Sequence, residues 1–198
     1  MATSGYIFNE RPPIGLLVAQ AVGITASTFL FGQNAAISYM FVPAVLQAPA
    51  PLAVRQWKKV FDIGYANGPV LALISGAAFA FVAYKQDPSS LPFRFNVAAA
   101  VLVPSTVPFT FAFMVPTNTK LDEKLDSFAG TALTDKEAEA GVAKEETTHA
   151  LLDKWATLNL ARAGIIGVAS ILGVWAAVDK REAVSSSFKL ASGANRMG

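Results

Sequence analysis

Four stretches of this chain carry almost no charge, and that pattern limits the fold more than any other feature. Residues 12–54, 63–84 and 95–119 contain no Asp, Glu, Lys or Arg, and residues 155–178 contain only Arg162. A helix needs about 20 residues to cross a hydrocarbon core of about 30 Å. All four stretches are long enough, so the chain is predicted to cross a bilayer four times. Its 53% hydrophobic and 15% charged content agrees, since a soluble domain carries about 25% charge. The predicted fold class is all-α: an integral membrane four-helix bundle with an interfacial amphipathic helix and a polar helical extension before the fourth span.

The same composition excludes several chemistries. There is no Cys, so disulfides, thiolate metal sites, thiol nucleophiles and iron–sulfur clusters are out. The single His rules out a His-rich metal site and the paired Glu-x-x-His motifs of a di-iron bundle. A net charge of +2 with scattered Lys and Arg does not point to nucleic acid. No Gly-rich phosphate loop or dinucleotide fingerprint is present.

Along the chain, residues 1–13 read as a polar lead and 14–179 as one membrane domain, with spans expected at 14–42, 63–84, 95–115 and 155–178. In the first span Gly15, Ala19, Gly23 and Ser27 recur every fourth residue, a small-residue stripe suited to close helix packing. Pro43, Pro49 and Pro51 end that unit. Residues 52–66 read as an amphipathic helix with Val54, Trp57, Phe61 and Tyr65 on one face. The second span carries Pro69 in its first turns. The third carries Pro104 and Pro108, and Pro116 stands at its exit. Each proline removes a backbone donor, so these helices need other partners for the freed carbonyls. The polar loop 116–154 is the one substantial soluble segment, and residues 120–154 hold 14 of the 30 charged residues. Thr134 to Glu137 fits a capping box and predicts a helix start near Asp135. The tail 180–198 is expected to be disordered. Lys and Arg divide seven to eight between the two faces, so charge bias assigns no orientation.

Arg162 is the informative residue. A guanidinium inside an apolar run is costly unless it is paired or hydrated, and such charges commonly mark function; the plain alternative is snorkelling to the interface. Trp155, Asn159 and Arg162 follow i, i+4, i+7 spacing, which sets an aromatic, an amide and a cation on one helix face. Thr117 and Asn118 lie just beyond the third span, and Tyr65, Asn67 and Gly68 begin the second, all on the same membrane face. Three polar sets at one depth predict the mouth of a pocket, with Arg162, Asn159, Asn118 and Tyr65 bordering one cavity. His149 has the one side chain with an unperturbed pKa near neutrality, which makes it the natural general base. Asp153 is its candidate partner. Phe109, Phe111 and Phe113 alternate at two-residue spacing and so point to different faces of a helix.

Val115-Pro116-Thr117-Asn118 with Leu121 resembles the end of the third span in the fungal anthrone oxygenases. Trp155-x-x-Leu158-Asn159-x-x-Arg162 resembles the opening of their fourth span. Phe61 to Pro69, with its Tyr-x-x-Gly-Pro, and Val42-Pro43-Ala44 with Leu46 are similar as well. The resemblance covers residues 14–178. It implies a monooxygenase with no metal and no organic cofactor that converts a polyketide anthrone to an anthraquinone with molecular oxygen, in secondary-metabolite biosynthesis. Its partners would be a hydrophobic aromatic substrate, oxygen and the lipid bilayer, with no nucleic acid; the oligomeric state is open. The expected setting is a multi-pass protein of the endoplasmic reticulum or another internal membrane. In that scheme Arg162 stabilises an enolate, Asn118 and Asn159 orient substrate oxygens or assist proton transfer, and His149 is the base. Trp155 stacks on the rings, and Tyr65 and Thr117 complete the binding site. A non-catalytic four-helix membrane scaffold or lipid-binding protein remains the alternative, and a different oxidation or rearrangement in a polyketide pathway is a third.

Overall fold

A computed structural model describes residues 13–179 of the chain. The rest of the expected polar lead and the tail expected to be disordered lie outside the described residues. The described elements are all helical. They are α1 (Ile14–Ala36), a π turn (Ile37–Phe41), α2 (Val42–Val45), α3 (Ala50–Tyr84), α4 (Leu91–Phe109), a second π turn (Thr110–Met114), α5 (Val115–Ser127), a 3-10 turn (Lys144–Glu146) and α6 (Thr148–Val178). These join into four rods, Ile14–Val45, Ala50–Tyr84, Leu91–Ser127 and Thr148–Val178, each long and apolar enough to cross a membrane. At 1.5 Å per residue the rods are roughly 46–56 Å long, so each extends beyond a hydrocarbon core.

α1 and α4 each pack against both α3 and α6. Chain neighbours are therefore antiparallel, and the helices on each diagonal run parallel. Two apolar clusters hold the bundle. One, at the end bearing the 46–49 and 128–147 loops, contains Val42, Val45, Val54, Trp57, Met114, Leu121, Leu152 and Trp155. The other contains Leu30, Ala72, Phe79, Ala99, Val103, Ile166 and Ala169. Phe79 is fully buried and rests where two helices carry glycine: a Cβ on Gly173 would approach its ring to 2.5 Å, and one on Gly23 to 3.0 Å. The small-residue stripe of α1 is thus used for close approach at Gly23 and at buried Ser27, while a Cβ on Gly15 would meet nothing. Farther along, Gln20 Nε2 donates to the Gly173 carbonyl (2.9 Å) and to Asn96 Oδ1 (3.3 Å), and Asn96 Nδ2 donates to Gln86 Oε1 (3.0 Å). Hydrogen bonds of this kind replace the hydrophobic drive that is missing between helices in lipid.

The structure differs from three sequence expectations. The amphipathic segment 52–66 and the second span are one uninterrupted helix, α3, with Pro69 inside it. The third span does not end at Pro116, because helix resumes after a π turn and runs to Ser127. Pro43 and Pro116 stand in the same local setting, each second in a helix that follows a five-residue π turn. The Val42 N–H reaches the Ile37 carbonyl and the Val115 N–H reaches the Thr110 carbonyl. Widening the helix just ahead of each proline lets it continue past a residue with no donor. Third, the capping box at Thr134 starts no helix. Asp135 Oδ1 instead accepts from the Glu137 N–H at 2.8 Å, a local bond that competes with helix formation. The helix begins at Thr148, where the Thr147 hydroxyl accepts from the Ala150 N–H (3.3 Å). Glu139 folds back to accept from the Thr148 N–H and hydroxyl, and it pairs with Lys124 at 2.9 Å. One carboxylate thereby fastens the 128–147 loop to α5 and α6.

The Phe79 seat yields a stability test. Gly173→Ala forces a methyl against a ring with no free space, and overpacking of this kind costs about 1–3 kcal/mol. Thermal unfolding of the purified protein in detergent should show the loss.

Candidate active site

A polar layer separates the two apolar clusters. On α6, Asn159 and Arg162 lie between Trp155 of one cluster and Ile166 of the other. On the first rod, Asn34 and Ser38 lie between Leu30 and Val42. On the third, Thr106 and Thr110 lie between Val103 and Met114. Arg162 Nη2 donates to Asn159 Oδ1 (2.6 Å) and Asn34 Oδ1 (2.8 Å), and Nη1 donates to Thr110 Oγ1 (3.3 Å). No salt bridge to Arg162 forms among the described residues. Its Nε is buried without a hydrogen-bond partner. The cation is thus held by three neutral oxygens.

The amides are oriented by bonds of their own. Asn159 is fully buried, and its Nδ2 donates to the Asn34 carbonyl and to Ser38 Oγ, both at 2.8 Å. Its oxygen must therefore face the guanidinium. Asn34 Nδ2 donates to the Leu30 carbonyl (2.8 Å), so its oxygen faces Arg162 as well. The Asn34 carbonyl lies just ahead of the first π turn and also accepts from Ser38 Oγ (3.0 Å). That carbonyl also takes the Ile37 N–H, so backbone, Ser38 and a side chain of α6 converge on one oxygen where the helix widens.

A second bonded pair lies one helical turn away. Trp155 Nε1 donates to Asn118 Oδ1 at 3.0 Å, with both side chains buried. Thr117 is buried beside it in sequence. Trp57 meets the edge of Trp155 with ring centroids 6.2 Å apart and stacks on Phe61 at 5.0 Å. Trp57 Nε1 is buried and unpartnered.

The structure does not bring every expected residue to this region. Tyr65 is 74% exposed on the outer side of α3 and lies against Phe61, so it does not border the polar layer. His149 stands in the first turn of α6 and donates from Nε2 to the Ala48 carbonyl (2.9 Å), which docks the 46–49 loop. It lines a cavity of about 510 Å³ with Leu46–Ala50, Lys136, Glu137, Glu139, Ala140 and Thr147. Thirteen residues of one helix, about 20 Å of axis, separate His149 from Arg162, too far to serve a ligand held by the guanidinium. Asp153 is exposed and makes no bond to His149.

Asn34, Ser38, Thr110 and Trp57 take part in the site region, although sequence reasoning gave them no role there. For the first three the available signal was a polar side chain inside a charge-free run, which in lipid needs a partner across helices.

The middle of α3 is sparsely covered. No residue from Lys58 to Leu71 is buried. Gly64 and Gly68 are half-buried, yet a Cβ on either would meet nothing within 4 Å. Trp57 meets Trp155 at one end of this stretch and Phe79 reaches Gly173 beyond the other. Those two contacts, seven residues before Gly64 and fifteen after it, hold parallel α3 and α6 in register. Gly64 therefore stands near the level of Arg162, across the bundle diagonal.

A family profile described as anthrone oxygenase matches residues 57–172. A noranthrone monooxygenase of Aspergillus flavus is 29% identical over 176 residues, covering 87% of this chain and 79% of the relative. An anthrone oxygenase of Aspergillus fumigatus is 30% identical over 169 residues (81% and 93%), and one of Paecilomyces divaricatus is 31% identical over 159 residues (78% and 92%). No solved structure shows a significant match. The matched region spans the polar layer on α6, the second π turn and most of α3, and on these grounds the chain belongs to the anthrone oxygenase family.

Proposed function

We propose that this protein is a cofactor-independent monooxygenase that oxidises a polyketide anthrone to an anthraquinone with molecular oxygen. The observation that carries the reading is the guanidinium of Arg162, enclosed by neutral acceptors and lacking a carboxylate partner among the described residues. A cation held this way in a low-dielectric layer keeps its charge for an oxyanion.

The chemistry needs such a site and little more. Loss of a proton from the anthrone ring methylene leaves an aromatic enolate with its charge on oxygen. The enolate carbon gives an electron to oxygen, the resulting radical pair combines as a peroxide anion at that carbon, and this takes back a proton to become the hydroperoxide. Loss of water then takes the second methylene hydrogen and breaks the O–O bond, leaving the quinone carbonyl. One oxygen atom ends in the product and one in water. All four electrons come from the substrate, so no external reductant enters the balance.

In this scheme Arg162 stabilises the enolate as a preorganised electrophile. Asn159 acts through Arg162, because both its N–H donors are engaged with α1 and the first π turn. Asn118 offers its Nδ2 to a substrate phenol or carbonyl while its oxygen holds Trp155, and Thr117 and Trp155 help to bound the site. The room opposite Gly64 and Gly68 is the proposed seat of the flat rings. The distance from His149 to Arg162 argues against His149 as the base for a ligand at Arg162, and the polar layer itself holds no carboxylate or imidazole among the described residues, so the methylene proton passes to water that enters with the substrate. The bilayer is the source of a poorly soluble substrate.

Membranes containing the protein, supplied with an anthrone and labelled oxygen and no cofactor, should form quinone carrying one labelled atom, faster than empty membranes. An equal rate overturns the reading for that substrate. Arg162→Lys should insert normally, because the charge is kept, yet lose turnover by about 10²–10³, since a mobile ammonium does not reproduce a fixed fork of donors. Asn159→Ala should fall in the same direction by less. Turnover per folded protein decides both, and near-wild-type activity of Arg162→Lys makes Arg162 a structural residue. Gly64→Leu tests the seat. It should leave thermal stability unchanged or raised, as helical Gly costs about 1 kcal/mol against better helix formers, while KM rises at least several-fold.

A further inference from the structure

We propose that Asn34 is a positioning residue whose neutrality keeps the charge of Arg162 available to an anionic ligand. The inference rests on the reading of Arg162 as an oxyanion site, and it assigns the property of that site to a residue on another helix.

Asn34 engages the site with three groups. Its Oδ1 accepts from Arg162 Nη2 at 2.8 Å, its carbonyl accepts from Asn159 Nδ2 at 2.8 Å, and its Nδ2 is anchored on the Leu30 carbonyl at 2.8 Å. The third bond fixes which amide atom faces the guanidinium. The second fixes Asn159, whose own oxygen approaches the same Nη2 at 2.6 Å. Asn34 is buried, so water does not substitute for these contacts. A single residue 128 positions away in sequence thereby sets both acceptors of one guanidinium nitrogen.

The chemical identity of the residue matters as much as its place. Aspartate is isosteric with asparagine and would bond Nη2 more strongly, because a charge-assisted bond is stronger than a neutral one. A carboxylate there would also cancel the charge of the guanidinium, at its own cost in desolvation. An amide fixes the guanidinium without neutralising it. The same holds for Asn159 and for Thr110, so all three acceptors are uncharged. A guanidinium needed only to tie helices together would gain from a carboxylate; one that receives an oxyanion would be silenced by it.

The test is the pair Asn34→Asp and Asn34→Ala, both in the full chain in membranes. If neutrality is the property that matters, Asn34→Asp inserts and folds, with some heat stability given up with the bond to the Leu30 carbonyl, and its turnover per folded protein falls by about 10², chiefly in kcat, as expected when one electrostatic contact of the transition state is lost. Asn34→Ala loosens the clamp without neutralising it and should be the less damaged variant. A second readout does not depend on oxidation: 1,8-dihydroxyanthraquinone changes colour when its phenol ionises. Bound to wild type or to Asn34→Ala, it should ionise at lower pH than when bound to Arg162→Gln; bound to Asn34→Asp, it should not. Full activity in Asn34→Asp, or greater damage in Asn34→Ala than in Asn34→Asp, makes Asn34 a structural partner and overturns the proposal. If wild type oxidises no anthrone, the functional reading falls, and the dye titration still decides for or against Asn34. Should Asn34→Asp fail to insert, Asn159→Asp sets the same charge against the same nitrogen and carries the same expectation.

Discussion

One cation with no counter-ion among the described residues organises this bundle. Placing a guanidinium within a membrane span costs several kcal/mol even on the lowest scales, about 2.5–3.5 kcal/mol at a helix centre. Arg162 meets that cost with three neutral oxygens drawn from the first rod, the third rod and its own helix. Those contacts set the rotation of α6 against α1 and against the turn after α4. The two apolar clusters then fall on either side of the polar layer, one around Trp57 and Trp155 and the other around Phe79.

The π turns are what make the layer possible. Each lies in a rod that runs toward the loop face, and each is followed by Val-Pro, at Val42-Pro43 and at Val115-Pro116. The first brings Ser38 and the carbonyl of Asn34 to Asn159, and the second brings Thr110 to Arg162. Both helix pairs thus follow the same order of span, π turn, Val-Pro and returning span. The polar layer lies where the two pairs meet. Side chains at such an interface are buried without any soluble domain to shelter them.

Arg162 and Asn159 illustrate how far a sequence carries. Their spacing on one helix face was legible, and so was the abnormality of a charge in an apolar run. Asn118 and Trp155 were each visible as polar or aromatic residues near the same face, but the bond between them crosses 37 residues. Tyr65 and His149 were visible for the same reasons and proved remote from the layer, Tyr65 by rotation about the α3 axis and His149 by distance along α6. Residues 135–143 show a different failure. A valid capping pattern had no apolar face behind it, so a local Asp135 bond prevailed and the helix began at Thr148.

The sequence by itself determined that the chain is four apolar helices, because a charge-free run of that length has few other stable states in lipid. It also determined where along each helix the polar groups lie. Tertiary structure alone decided which of them meet: that Asn34 faces Arg162 across 128 residues, that Thr110 joins them, and that Tyr65 turns away. The reason is physical. In water, hydrophobic periodicity distinguishes a buried face from an exposed one; in a bilayer both faces are apolar, so the pattern does not set a helix's rotation. That rotation is set by close contacts at glycine and by hydrogen bonds between polar side chains, and both become visible only when the helices are placed side by side.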